Sequence, residues 1–467
     1  MTGADDARVA SVNTRSAALS VSEAQQAVLA RMRALPEQRM PLALAIGHAL
    51  AEDIHASVTL PPWANAGMDG YAVRRADVRD ASSAHPRELR VIDTIAAGSQ
   101  SRPFIQSGLC ARIMTGAPLP PGADAVIRIE DTDGGLQYVR VLNDRDARST
   151  GGNVRPRGED ISDGDLVAAR GDLITPALLG VLASIGAADV SVHRAPRVVV
   201  AASGNELVDV TEIDAVRDGR AIVSSSSYAL PALLRATGAD VRVLPALPDD
   251  PDIMRDAFAR ALEHECDLLV TTGGVSVGAF DHVRSVIASL GGRVDVPRVR
   301  VRPGGPLAAG HVQGIPWIGL PGNPVSTLVT AELFVRPAVR ALAGCSRVLP
   351  QLIAVRLAED VAAPASLTFY LRASLRLASD GVFEAQLTGR QGSNLLTSMS
   401  RAHALLEIEG PIERVAAGSM VRALLLDHAL LGAIAPPLPD YSAHAPRNTP
   451  PATPDASSHP SSYTAHE

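Results

Sequence analysis

A chain of 467 residues, 46% hydrophobic and 20% charged, is too long for one simple core and has the make-up of a soluble globular protein of two to four domains. Its formal charge of −7, with basic residues scattered along the chain, argues against a general nucleic-acid binder, which needs dense cationic surfaces for phosphate. Three cysteines (Cys110, Cys266 and Cys345), far apart and without CxxC spacing, exclude a disulfide framework or zinc ribbon.

No apolar run reaches membrane-spanning length, and the acidic start lacks an apolar leader core, so a cytoplasmic protein without a membrane partner is expected. Residues 1–19 read as a loose tail. Val21, Ala24, Ala27, Val28 and Met32 then recur at three- and four-residue steps, a helix with Ser20 or Ser22 as its cap. A second helix is predicted from Pro41 to about Ile54, before Pro61-Pro62 breaks the chain. Residues 63–149 read as mostly β, with runs at 89–92 and 125–129 between turn clusters. Thr175-Pro176 is a cap followed by proline at the first helical position, opening a helix that carries Leu178, Leu179, Val181, Leu182 and Ile185.

From Pro196 to about Gly344 strands at 197–202, 241–244, 268–271 and 317–320 alternate with helical patterns at about 228–237, 251–264, 281–290 and 324–342. Such alternation means βαβ units and a doubly wound parallel sheet, which binds ligands at the carboxyl ends of its strands. The loops at those ends carry Ser203 to Glu206, Ser224 to Ser227, the run from Thr271 to Asp281, and Pro321 to Pro324. Residues 346–428 look like a small β domain, and the Pro-, Ser- and Ala-rich stretch after Pro436 is expected to be disordered.

The run Thr271-Thr-Gly273-Gly274-Val-Ser276-Val-Gly278-Ala-Phe-Asp281 holds the most chemistry. A buried strand that breaks into a glycine-rich loop and then a helix aims backbone N–H groups at one spot, which suits a phosphate. Ser276 adds a hydroxyl. Asp281 sets a carboxylate beside the anion, which makes sense with a divalent cation between them. The same residues also read as an ordinary strand-to-helix turn with Asp281 as N-cap.

Six blocks in order resemble the molybdopterin molybdenumtransferase family, known as MoeA in bacteria and as the gephyrin E domain in animals. They are Asn65-Ala-Gly-Met-Asp69-Gly-Tyr-Ala72, Arg112-Ile-Met-Thr115-Gly-Ala-Pro118, Arg155-Pro-Arg-Gly-Glu-Asp160-Ile161, Ser203-Gly-Asn-Glu206-Leu207, the glycine loop through Asp281, and Gly319-Leu-Pro-Gly-Asn-Pro-Val-Ser326. The resemblance covers residues 20 to 428. It implies a multidomain α/β plus β chain in an elongated homodimer. Residues 20–60 and 150–194 would form a discontinuous linker and dimer domain, 61–149 a β-rich insertion domain, 195–344 a doubly wound, MogA-like α/β molybdopterin-binding domain, and 345–430 a small C-terminal β-barrel. Tails 1–19 and 436–467 would flank them.

The resemblance also implies the reaction: molybdate is inserted into the dithiolene of adenylylated molybdopterin and AMP is released, at a junction between subunits, with an adenylyltransferase upstream. By matched position Asp69, Asp160, Glu206 and Asp281 carry over as the catalytic acids, with Asp69, Glu206 and Asp281 as ligands of Mg²⁺. Thr115, Gly273, Gly274, Ser276, Gly278, Arg302, Pro306, Pro321, Gly322 and Asn323 carry over as substrate contacts, molybdate included. The start of the helix after Pro321–Pro324 is expected to favour an anion. Structural alternatives stand beside these: Asp69 and Thr115 as turn residues, Asp160 as a local cap, Glu206 as a first-turn helix carboxylate.

Three departures matter. Ser224-Ser225-Ser226 stands where the family has Asp-Ser-Asn, Asn205 where it has Asp, and Arg302-Pro-Gly-Gly305-Pro306 where it has Lys-Pro-Gly-Lys-Pro. Arg302 keeps a charge in a planar fork, and Gly305 keeps none. They motivate a second reading, a catalytically impaired paralogue that binds molybdopterin or nucleotide in a regulatory or scaffolding role. A third is an enzyme acting on another nucleotide.

Overall fold

The computed structural model describes residues 18–149, 151–264, 266–274 and 282–426. Both expected tails therefore lie almost wholly outside the described residues, as do Ser276, Gly278 and Asp281. The first helix, α1 (Val21–Leu29), starts at a capping box: Ser20 Oγ accepts from the Glu23 amide and Glu23 accepts from the Ser20 amide. Its apolar stripe, Val21, Ala24 and Val28, is buried.

The predicted helix over 41–54 is absent. A strand, β1 (Glu37–Pro41), pairs antiparallel with Asp189–His193, and only a single 3₁₀ turn, Leu42–Leu44, follows. The reason lies in where the amides go: Gly47 donates to the Ile174 carbonyl, Leu50 to Asp172 and Ala51 to Ser191. Leu42, Ala45 and Leu50 serve a core layer with Leu182, Val190 and Val192, so their spacing reflects burial and not a helix face.

Residues 70–143 form a five-stranded sheet of β2 (Gly70–Val73), β3 (Ser82–Ile95), β4 (Leu109–Ile113), β5 (Ala125–Arg128) and β6 (Tyr138–Asn143), in the order β5–β2–β4–β3–β6. The helix α2 (Pro176–Ser184) begins as its Thr175-Pro176 signal predicts, with Thr175 accepting from the Leu178 amide.

Next comes a sheet built on β7 (Arg197–Ala202), with α3 (Ser226–Ala236), β8 (Asp240–Val243), α4 (Pro251–Glu263), β9 (Leu268–Thr272) and α5 (Val283–Ser289) following in sequence. Then come β10 (Arg293–Val296), β11 (Ala308–Val312) and β12 (Ile315–Leu320). Strand order is β8–β7–β9–β12–β11–β10; the first four are parallel, while β11 and β10 add an antiparallel edge that periodicity did not reveal. Alternation along β7 explains the two-sided cover. Val198 and Val200 face a core with Leu230 and Leu234 of α3, whereas Val199 and Ala201 face Met254 and Phe258 of α4 and Val286 and Ile287 of α5.

The helical stretch after β12 is α6 (Pro324–Thr330), a π turn over Ala331–Val335, and α7 (Arg336–Leu342). Within the π turn, Gln25 of α1 donates its Nε2 to the Leu333 carbonyl at 3.0 Å. The C-terminal strands close on themselves: β13 (Leu352–Leu357), β14 (Thr368–Leu377) and β15 (Phe383–Leu387), then, after the short helix α8 (Leu396–Ser400), β16 (Ala404–Glu409) and β17 (Met420–Leu425). The ring β14–β15–β13–β17–β16–β14 is a five-stranded barrel filled by Val355, Leu371, Ala385 and Leu406. No helix among the described residues is long and apolar enough to cross a membrane.

Replacing Gln25 by Met keeps the bulk but strips the Leu333 carbonyl of its donor. The expected cost is about 1 kcal/mol, read as a drop of a few degrees in the thermal unfolding midpoint. An unchanged midpoint would show that water serves that carbonyl equally well.

Candidate active site

The parallel strands β7, β9 and β12 end side by side, and the loops beyond them enclose a cleft of about 430 Å³. It is lined by Ser203, Gly204 and Glu206 after β7, Ser224 to Ser226 at the start of α3, Asp249 before α4, Thr272 to Gly274 at the end of β9, and Gly322 to Pro324 after β12. The ladder runs on into the loops: Ser203 N donates to Thr272 O, and Gly273 N to Leu320 O at 3.1 Å. The Gly273 amide is thus committed to the fold and not to an anion, whereas the Gly274 amide has no acceptor among the described residues. Both glycines sit at positive φ, +87° and +61°. A Cβ on Gly273 would lie 2.5 Å from the Ser203 carbonyl oxygen, and one on Gly274 2.7 Å from Val283, so no other residue makes this turn cheaply.

Two carboxylates belong to the cleft. Glu206 is exposed and its side chain accepts no hydrogen bond among the described residues. Asp249 was not singled out from the sequence. It is exchanged with Asn205, whose amide N–H donates to Asp249 Oδ2 (3.2 Å) while Asn205 Oδ1 accepts from the Asp249 amide (3.0 Å). Asn205 therefore works as a loop clasp. The signal for Asp249 was present in Asp249-Asp250-Pro251: Asp250 caps α4 through the amides of Asp252 and Ile253, which leaves the first acid free of that duty. Ser224 is buried and shares a hydrogen bond with Ser227 Oγ at 2.7 Å. Ser203 Oγ is buried and has no partner among the described residues. No arginine lines the cleft among the described residues.

Other sequence-predicted residues lie elsewhere on the chain. Asp69, at the start of β2, takes both the Thr115 hydroxyl (2.6 Å) and the Thr115 amide (2.7 Å) on Oδ1. The hydroxyl bond, then the amide bond, holds its carboxyl below the usual aspartate range, with Arg112 adding a smaller pull. Asp160 is exposed, and its amide donates to Leu60 O. Neither carboxylate lines the cleft of its own chain. Arg302 is exposed, stacked with its guanidinium 5.8 Å from the centre of the Phe369 ring at the barrel, and the Pro306 carbonyl accepts from Arg284. Pro321 is buried and its carbonyl accepts from Thr327 Oγ1.

At the start of α6 two of the first positions offer no amide to an anion: Pro324 has no N–H, and the Val325 amide donates to the carbonyl of Ser393 from the barrel. No three His, Cys, Asp or Glu side chains converge on a metal-sized site among the described residues. Burial pushes the Cys110 thiol up to about 12 and that of Cys266 up to about 11, which leaves them as buried packing groups.

Comparison with known proteins matches three consecutive regions of the chain. Residues 19–186 match the MoeA N-terminal region (domain I and II), 199–341 a probable molybdopterin binding domain, and 354–426 the MoeA C-terminal region (domain IV). A molybdopterin molybdenumtransferase of Staphylococcus aureus (strain MSSA476) is 34% identical over 409 residues, spanning 88% of this chain and 96% of that protein. Molybdopterin molybdenumtransferase 2 of Mycobacterium tuberculosis (strain CDC 1551 / Oshkosh) is 35% identical over 408 residues, 86% of this chain and 98% of that one. A crystal structure of the molybdopterin biosynthesis moeA protein from Pyrococcus horikoshii OT3 shares the fold at a TM-score of 0.73 and 26% identity, covering 88% of this chain and 100% of the other.

The Asp69 site makes a direct pH prediction. In an NMR titration Asp69 should stay ionised to lower pH than a free aspartate, and Thr115→Val should move its midpoint upward, because the larger of the two bonds is lost. A midpoint indifferent to the substitution would mean the hydroxyl bond does not form.

Proposed function

Because the chain belongs to the MoeA family of molybdopterin molybdenumtransferases, we propose that its cleft holds adenylylated molybdopterin while molybdate enters the dithiolene and AMP leaves. As an enzyme of that class it acts in molybdenum cofactor biosynthesis. The observation that carries the finer reading is the composition of the cleft. Among the described residues two carboxylates, a glycine turn and a row of hydroxyls meet at the carboxyl ends of three parallel strands, and no basic side chain lines them.

A pyrophosphate would be repelled by such a lining unless a cation came with it. The donor set is all oxygen, which fits a hard divalent ion. Glu206 and Asp249 would hold Mg²⁺, with Asp281 at the end of the same glycine loop in sequence. When bound, that ion offsets pyrophosphate charge and polarises the phosphoryl group. The protein's own part is to place the substrate: the Gly274 amide and the hydroxyls of Ser203, Ser224 and Ser226 face the phosphates, and the glycine turn lets them approach the backbone closely.

The remaining predicted groups fall into place in a homodimer. Asp69 and Thr115 lie beside exposed Met68, with Trp63 also exposed nearby in sequence. A two-fold copy would cover that face and bring Asp69 toward its neighbour's cleft. In this reading the chain divides as 20–60 with 150–194, 61–149, 195–344 and 345–430. Arg302 meets molybdate from the barrel side, and Asp160 and Pro306 line the junction.

Gly305 favours one second reading, an impaired paralogue that binds without turnover. Every one of the 43 Lys and Arg residues is Arg, however, so the loss of a lysine there belongs to a chain-wide pattern and does not single out this loop.

AMP release and cofactor formation from adenylylated molybdopterin, molybdate and Mg²⁺ test the main reading. Turnover above a buffer blank is expected, falling about a hundredfold in Glu206→Gln and in Asp249→Asn. Binding of substrate without any AMP release would instead support the paralogue. Gly305→Lys then discriminates further: its Cβ would lie 3.2 Å from the Val301 carbonyl, a close but adjustable fit, and it would place the chain's single lysine in that loop. An active native enzyme should gain no more than severalfold from it, whereas an impaired one should gain orders of magnitude.

A further inference from the structure

The helix α6 has an asparagine at its N-cap position that does not cap it. Asn323 instead turns its side chain to the barrel, donating Nδ2 to Ser393 Oγ at 3.2 Å, and the carbonyl of the same Ser393 accepts the Val325 amide at 3.2 Å. One barrel residue thus supplies both the missing cap and a tether for the N-cap side chain. The residues it holds, Gly322 to Pro324, form one wall of the cleft, and a Cβ on Gly322 would lie 3.4 Å from the Cα of Gly273.

The loop that carries Ser393 is itself fixed to the barrel. Gln391 Oε1 accepts from the Arg372 amide (2.8 Å), and its Nε2 donates to the carbonyls of Arg372 (3.1 Å) and Gly389 (2.9 Å). The Arg372 side chain, 1% exposed, donates Nη2 to the Gly392 carbonyl at 3.0 Å and Nε to Ser398 Oγ at 3.1 Å, with no carboxylate partner among the described residues. A buried guanidinium spent on a serine and a loop carbonyl is an expensive arrangement for stability alone. Its bonds go to the two ends of the segment that bears Ser393.

We infer that Ser393, on a loop pinned by Gln391 and Arg372, is a positioning residue for the reaction: the barrel reaches across and sets the Gly322–Asn323 wall against the glycine turn. The inference rests on the substrate cleft proposed above. Ser393 acts through Asn323 and α6, so its removal should alter ligand placement more than folding.

Ser393→Ala, Ser393→Thr, Asn323→Ala and the Asn323→Ala/Ser393→Ala pair test it, with thermal midpoints measured alongside. Ser393→Ala should raise KM for adenylylated molybdopterin about fivefold at an unchanged midpoint, and Ser393→Thr should restore it. The double substitution should cost no more than Asn323→Ala alone, because both remove the same bond. A KM within twofold of the unaltered enzyme, or effects of the two single substitutions that multiply, would overturn the inference. Gln391→Ala supplies a readout independent of turnover. Hydrogen exchange at the Val325 amide should accelerate at least tenfold as the loop loosens, and unchanged exchange overturns the relay even in an active enzyme. A chain with no turnover at all but accelerated exchange in Gln391→Ala would count against the cleft's proposed chemistry and for the relay.

Discussion

The turn at Gly273-Gly274 constrains everything around it. A strand buried on both faces must leave the sheet sharply, under the Ser203 carbonyl on one side and Val283 on the other, with no room for a side chain. That geometry needs left-handed backbone twice in succession, which only glycine supplies without strain. Once the turn is fixed, the neighbouring loops are fixed with it. Ser203 is held by the Thr272 carbonyl, Gly204 by Leu247, and Gly273 by the Leu320 carbonyl, two residues before Gly322. The cleft is therefore a consequence of strand ends brought into register, and its chemistry is whatever side chains those loops carry.

What they carry is negative charge and hydroxyls. Enzymes that handle phosphates often line the site with lysine or arginine; this cleft has neither among its described residues. The whole chain has no lysine, so its cationic chemistry rests on guanidinium groups, which bind oxyanions in a planar, two-pronged way and do not titrate near neutrality. Arg302 shows the consequence. It lies over Phe369, a contact its flat, weakly hydrated fork makes more readily than an ammonium would, and that stacking fixes it to the barrel.

Periodicity was legible where a segment buries one face through local contacts. The Ser20 cap of α1 and the Thr175-Pro176 start of α2 rest on neighbours within a few residues, and each helix of the βαβ rhythm shows its own apolar face. It failed where distant partners decide. Residues 42–51 have helical spacing, yet the amides of Leu42, Gly47, Leu50 and Ala51 bond to carbonyls at positions 172–191. The antiparallel edge at 293–296 and 308–312 is short and mixed in character; β12 offers a ladder to 308–312, which in turn offers one to 293–296. At the site, motif matching located the loops but misjudged what individual groups were free to do. Gly273's amide and the start of α6 are already used by the fold, Asn205 is a clasp, and Asp249 carries the charge that Asn205 lacks. Such facts depend on which hydrogen bonds are already spent, and that is invisible to a one-dimensional pattern.

Two long-range bonds show how the separate parts become one machine. α1 comes from the first forty residues, yet Gln25 satisfies a carbonyl in the π turn immediately after α6. Ser393 comes from the last eighty, yet it caps the opposite end of that helix. α6 is thus held at its start by the barrel and just beyond its end by the N-terminal helix, with the cleft wall at its first turn. A π turn costs regular helical bonding and persists where tertiary partners make up the loss. Here the partner is Gln25, and the π turn directly follows the helix whose first residues line the cleft. A shift of the barrel or of α1 would therefore be felt at α6, because close-packed interiors transmit strain.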